Sequence, residues 1–93
     1  MLNGHNLKKN WRVVVANIAQ KHLKRLPDKD VERIGKVTDE MGVDPFSGDI
    51  VKFGDGGSRW RRRVGSYRIM YNILLDEGVV FIYDISRRTS STY

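Results

Sequence analysis

Ninety-three residues, 40% hydrophobic and 30% charged, suit one folded domain and leave no room for a second core. Seventeen Lys and Arg against eleven Asp and Glu leave a net charge of +6 and a pI of about 9.9, which points to a polyanion or an acidic protein as partner. Cysteine is absent, so disulfides, Cys-type zinc or iron–sulfur sites and thiol nucleophiles are excluded. Apolar runs reach only the length of Val79-Val80-Phe81-Ile82-Tyr83, far short of the ~20 residues of a membrane span. Met1 to Asn10 is polar and lacks the apolar stretch of a signal peptide. A cytoplasmic protein is expected, with a polar lead-in over 1–10 and a single domain over 11–93.

In chain order, the β-branched run Trp11 to Ala16 predicts a strand. Asn17 and Gln20 have capping-box spacing, so a helix is expected to start there and to stop at Pro27. A second helix is expected from Asp28 to Met41. Val31, Ile34, Val37 or Thr38, and Met41 recur at helical spacing, Asp28, Asp30 and Glu32 favour its N-terminal dipole, and Gly42 is the expected stop. Asp44 to Asp49 reads as a turn-rich connector, Ile50 to Phe53 as a short strand, and Gly54 to Ser58 as a loop.

Trp60 to Val64 predicts a strand with Arg61 and Arg63 on one face and Trp60, Arg62 and Val64 on the other. Gly65-Ser66 turns the chain. Tyr67 to Leu75 is apolar on both faces apart from Arg68 and Asn72, as a central strand would be. Asp76-Glu77-Gly78 is a hairpin turn, Val79 to Ile85 a last strand, and Ser86 to Tyr93 a basic tail. Tyr67, Ile69, Tyr71, Ile73, Phe81 and Tyr83 are expected in the core. The order β-α-α-β-β-β-β is an α+β layout: an N-terminal strand and an αα-hairpin on one face of a mainly antiparallel sheet.

The charge is uneven. Residues 59–93 hold seven basic and three acidic side chains, and all seven basic ones are arginine. Arginine suits planar, bidentate contact with phosphate or carboxylate. The two histidines, His5 and His22, lack metal-ligand spacing, and His22 reads as structural or merely exposed. The Gly54-Asp55-Gly56-Gly57 loop precedes a strand and lacks a Gly-Lys-Ser/Thr ending, so it reads as a flexible hairpin connection rather than a phosphate loop. What remains is Arg61, Arg63 and Arg68 on adjacent strands, Arg87 and Arg88 after the last strand, and Tyr93. A curved sheet could gather these around one phosphate, and an aromatic ring could stack on an unpaired base. RNA needs no metal for cleavage, because its own 2′-OH can attack the neighbouring phosphate when held in line. The bland alternative is that the arginines pair with acidic residues of a bound protein.

Asp44-Pro45-Phe46 with Gly48-Asp49, then Val51-Lys52-Phe53-Gly54, then Trp60-Arg61-Arg62-Arg63-Val64-Gly65-Ser66-Tyr67-Arg68-Ile69-Met70-Tyr71, then Val79 to Ile85 and Arg88, together resemble the RelE/ParE toxin superfamily. The likeness runs from about Trp11 to Tyr93. It implies a RelE-like fold and the toxin half of a type II toxin–antitoxin pair. RelE-like members act as ribosome-dependent endoribonucleases that cleave mRNA in the A site through 2′-OH attack, without a metal or cofactor. The implied partners are a cognate antitoxin, the ribosome and mRNA.

By position, Arg61 and Arg63 match two basic strand residues that are often lysines in RelE proteins. Arg68 would clamp the scissile phosphate. Arg88 would stabilise the transition state or the leaving oxygen. Tyr93 would stack on the substrate base, and Lys52, Trp60 and Arg87 would help to hold RNA. The alternative within the superfamily is a ParE-like inhibitor of DNA gyrase, which would leave the arginine set idle. Because arginine stays protonated, the resemblance leaves the general base unassigned.

Overall fold

The computed structural model describes residues 10–52 and 58–87. Its elements are β1 (Arg12–Val15), α1 (Asn17–Lys24), α2 (Asp28–Val43), β2 (Ile50–Lys52), β3 (Arg59–Val64), β4 (Tyr67–Leu74) and β5 (Val79–Arg87). The expected order and the α+β class are both found. The five strands form one sheet in the order β1-β5-β4-β3-β2. Neighbouring strands from β2 to β5 are antiparallel, and β1 runs parallel to β5.

β4 lies at the centre of this order, and its side chains alternate without a break. Tyr67, Ile69, Tyr71 and Ile73 are buried, while Arg68, Met70, Asn72 and Leu74 are half-buried on the other face. The buried set meets Ala19 of α1 and Ile34, Val37 and Met41 of α2, with Val64, Val80, Ile82 and Ile85 from the flanking strands. The helices thus cover one face of the sheet, and no described element covers the other.

Two expected helix signals are corrected. Asn17 is not a cap: Ala16 holds the N-cap position with extended backbone, and the Gln20 side chain donates to the Val15 carbonyl at 2.8 Å. Gly42 does not stop α2. It is a buried helical residue whose carbonyl accepts the Trp11 N–H at 3.0 Å. The helix ends at Asp44, whose backbone is extended (φ −152°, ψ 99°) because Pro45 follows and disfavours helical geometry in the residue before it. Asp44 then closes a turn. Its Oδ1 accepts the Phe46 N–H at 3.0 Å, and its carbonyl accepts the Ser47 hydroxyl at 3.0 Å.

β5 runs two residues beyond its expected end, because Ser86 and Arg87 still pair with Arg68 and Tyr67 of β4. A register shift lets Ile82 pair with Tyr71 while Asp84 pairs with Met70, so Tyr83 is an extra, bulged residue. This corrects the expected core of β5. Val80, Ile82 and Ile85 are buried, and Phe81 and Tyr83 are only half-buried. Beyond Val15 the edge of β5 meets α1, where His22 Nδ1 lies 3.1 Å from the Ile85 carbonyl and 2.9 Å from an Asp84 carboxylate oxygen. That fits a structural His22. Phe53, expected to end β2, lies outside the described residues, as do the Gly54–Gly57 loop and the 1–9 part of the lead-in.

Candidate functional site

Period-two alternation decides which arginines can act together. On β3, Val64 is buried in the core, and Trp60 packs against the core from the same face. Arg62 shares that face. Arg59, Arg61 and Arg63 therefore point away from the helices. Across the β3–β4 ladder Arg63 faces Arg68 and Arg61 faces Met70, so Arg61, Arg63 and Arg68 share the uncovered face. Directly opposed side chains on an antiparallel pair have Cβ atoms about 5 Å apart.

The three guanidinium groups differ in what holds them. Those of Arg61 and Arg68 make no hydrogen bond or ion pair with another described residue, and the Arg61 Nε is shielded from solvent without a partner. Arg63 donates from Nε to the Asp49 carboxylate at 2.9 Å, with both side chains about half exposed. Positive charge is thus concentrated on this face, where Arg61 and Arg68 are without a partner among the described residues.

Arg62 is occupied elsewhere. Its Nη1 donates to the Ser47 carbonyl and its Nη2 to Glu40, each at 3.2 Å. It lies so close over Gly48 (φ +87°) that a Cβ there would overlap the guanidinium. This arginine ties β3 to the end of α2 and to the turn that follows.

Three expected RNA contacts are not brought to the arginine face. Lys52 pairs with Trp60 across β2–β3, and its ammonium sits 5.7 Å from the Trp60 ring centroid, so both belong to the helix-covered side. Trp60 also meets Phe46 edge-on at 5.7 Å, and Phe46 meets Trp11 at 6.2 Å. The indole is accounted for by packing. Arg87 is exposed and opposite Tyr67, again on the helix side, rather than in a tail beside Arg61. Arg88 and Tyr93 lie outside the described residues.

The sequence reads Asp49 as part of a connector and of the family resemblance, and neither reading discloses its contact with Arg63. It stands one residue before the Ile50–Arg62 pair and therefore opposite Arg63, whose N–H its carbonyl accepts at 3.0 Å. The only signal for this was the β2–β3 register, which a loop of unspecified conformation does not disclose.

Two concavities lie away from Arg61, Arg63 and Arg68. One, of about 720 Å³, is bordered by Trp11, Arg12, Val13, Thr38, Asp39 and Glu77. The other, of about 370 Å³, lies along α2 between Lys36 and Ser47. The arginines stand on an open sheet face, which suits an extended polyanion better than an enclosed small molecule. No described helix is long and apolar enough to cross a membrane.

Tyr67 and Tyr71 fix the scaffold behind this face. Tyr71 is fully buried and donates to the Pro45 carbonyl at 3.0 Å. Its burial pushes the phenol up to about 12, while Arg62 pulls it down and Asp44 raises it. The Tyr67 hydroxyl donates to Asp30 at 2.7 Å, and that bond, with burial and the Asp30 charge, raises its pKa against the opposing charge of Arg87.

Comparisons with known proteins place the fold and the family. The curated protein "Putative toxin RelE1" of Methanocaldococcus jannaschii is 28% identical over 71 residues, covering 73% of this chain and 79% of the relative. The archaeal RelE–RelB complex from Pyrococcus horikoshii OT3 holds a chain of similar structure, with TM-score 0.79, 25% identity, and coverage of 88% of this chain and 99% of that one. The isolated E. coli RelE toxin, at 18% identity and TM-score 0.76, shares the fold and covers 88% of each chain. A sequence profile described as the ParE toxin of type II toxin–antitoxin systems, parDE, matches residues 9–91. With nearly the whole chain matched, this protein belongs to the ParE toxin family of type II toxin–antitoxin systems, within the RelE/ParE superfamily, and its fold is RelE-like.

Proposed function

We propose that this chain is a RelE-type endoribonuclease that cleaves mRNA in the ribosomal A site and is held in check by a cognate antitoxin in the cytoplasm. The observation that carries this reading is the placement of Arg61, Arg63 and Arg68 together on the uncovered face, with two of the three guanidinium groups unpartnered among the described residues. The likeness to a RelE chain crystallised with RelB supports the antitoxin partner.

The chemistry asked of the site is electrostatic. The 2′-oxygen of the mRNA attacks the adjacent phosphorus, a 2′,3′-cyclic phosphate forms, and the bond to the 5′-oxygen breaks. Negative charge builds on the phosphoryl oxygens, and preorganised guanidinium groups stabilise it as it grows. Arg68 clamps the scissile phosphate, while Arg61 and Arg63 share the developing charge. Arg88 serves the leaving oxygen and Tyr93 stacks on the base, as the resemblance implies. The arginines remain protonated, so the 2′-OH proton passes to a group outside this set, and the ribosome supplies alignment.

A second reading is a ParE-like gyrase inhibitor, favoured by the description of the matching family profile. Primer extension on translated mRNA separates the two. The nuclease gives cuts within codons that disappear when ribosomes are omitted. Gyrase poisoning gives DNA damage with intact mRNA, and that pattern would replace the first reading with the second.

A further inference from the structure

We propose that Asp49 is a positioning residue for Arg63, setting that guanidinium for the phosphoryl group; this rests on the nuclease reading above. The contact is one-sided. Asp49 engages Nε alone, at 2.9 Å, and the two Nη groups make no other hydrogen bond to a described residue. A carboxylate that gripped the Nη fork would spend the surface an incoming phosphate needs. Held at Nε, the side chain is oriented while its terminal donors stay available for bidentate contact.

The carboxylate is itself well rooted. The Asp49 carbonyl accepts the Arg63 N–H at 3.0 Å, and the Gly48 carbonyl accepts the Ile50 N–H at 3.0 Å, so the anchor is tied to β3 at the entrance to β2. An exposed ion pair of this kind contributes little to stability. Its effect is on geometry: Arg63, which stands opposite Arg68, would otherwise swing away from a second cation. A negative charge beside a phosphate site also weakens ground-state binding, and the orientation it gives Arg63 is what offsets that cost in the reaction.

The two effects oppose each other, and this makes the idea testable. Full-length Asp49→Asn, Asp49→Glu, Arg63→Ala and Asp49→Asn/Arg63→Ala proteins are compared on ribosomes programmed with mRNA, reading kcat and KM separately. Asp49→Asn is expected to lower kcat roughly tenfold with KM unchanged or reduced. Asp49→Glu should recover part of kcat, and Asp49→Asn should have no further effect in the Arg63→Ala background. Wild-type cleavage with an Asp49→Asn variant equal to or faster than wild type would make Asp49 a mere competing anion and overturn the inference while leaving the nuclease intact. A rise in KM with kcat unchanged, or full additivity with Arg63→Ala, would also overturn it. Absence of cleavage by the wild-type protein would remove the nuclease reading itself, and this inference with it.

Discussion

Arg63 and Arg68 stand directly opposite each other across the β3–β4 hairpin, two cations where a sheet ordinarily places complementary or apolar partners. Like charges at opposed positions are destabilising, and Asp49 relieves only one of the two. The hairpin therefore carries a repulsion that an anion can remove.

Anion binding should accordingly stabilise the fold. Replacing chloride by inorganic phosphate at matched ionic strength is expected to raise Tm by roughly 4–8 °C for each kcal/mol of binding energy. The Arg68→Ala protein should lose most of that gain. An equal phosphate response in wild type and in Arg68→Ala would place the bound anion elsewhere.

Removing charge from the open face should cost cleavage without costing structure. Arg68→Ala is expected to reduce the single-turnover rate by roughly 100-fold or more, and Arg61→Ala by at least about tenfold, with circular dichroism unchanged. Arg62→Ala is the internal contrast. It releases Glu40 and the Ser47 carbonyl on the other face, so it should lower the urea midpoint and change cleavage little. Normal cleavage by both Arg68→Ala and Arg61→Ala would move the active surface away from these residues.

Lysine at positions 61 and 63 tests what limits the reaction. A lysine amid neighbouring cations can lose its proton near neutral pH and act as a base, which arginine does not do. If charge stabilisation dominates, Arg61→Lys and Arg63→Lys hold or lower the rate, because a planar fork is exchanged for a point charge. A large gain in cleavage would instead mean that a missing base limits this protein.

Tyr71 predicts an alkaline weakness. Its phenol stands near 12 in the folded chain against about 10 when unfolded, chiefly through burial. The proton is thus held more tightly in the folded state. The associated stability is complete below pH 10 and is lost as pH climbs toward 12, by about 2–3 kcal/mol. Urea titrations at pH 7 and pH 11 would show about half of this loss. Tyr71→Phe should flatten the Tyr71 share of the alkaline loss, at a cost near neutrality of about 1–3 kcal/mol because the buried Pro45 carbonyl loses its donor.

Two glycines separate backbone strain from steric conflict. Gly65 (φ +59°) and Gly78 (φ +64°) both lie in the left-handed region, so alanine at either should cost about 1 kcal/mol. At Gly65 a Cβ would also come within 2.5 Å of the Arg33 guanidinium, whereas Gly78 faces open space. Gly65→Ala should therefore be the more damaging of the two in denaturant titrations, and equal costs would show that Arg33 gives way freely.

The alternation of β4 and the 34, 37, 41 stripe of α2 could be read from the sequence because burial imposes periods of 2 and 3.6 on residue choice. The same period separated Arg61 and Arg63 from Arg62. What escaped depended on long-range fit. The Tyr83 bulge shifts the phase of β5 by one residue, and nothing local to that segment announces it. Capping at Asn17 gave way to a Gln20 bond to the preceding strand, and Gly42 stayed helical because the decisive stop was the proline three residues later. Lys52 joined the helix-covered side because the β2–β3 register, set across a loop, pairs it with Trp60.

The parallel contact of β1 with β5 has a temporal consequence. Arg12 to Val15 finds its hydrogen-bonded neighbour in Val79 to Ile82, which the ribosome makes only after every other described strand. Closing so long a segment carries an entropic penalty that local hairpins avoid, so the β3–β4 ribbon can assemble while the first strand still waits. A nascent chain thus leaves its sheet unfinished until Val79 to Ile82 has emerged, and Arg12 to Val15 must stay unpaired for the whole of that interval.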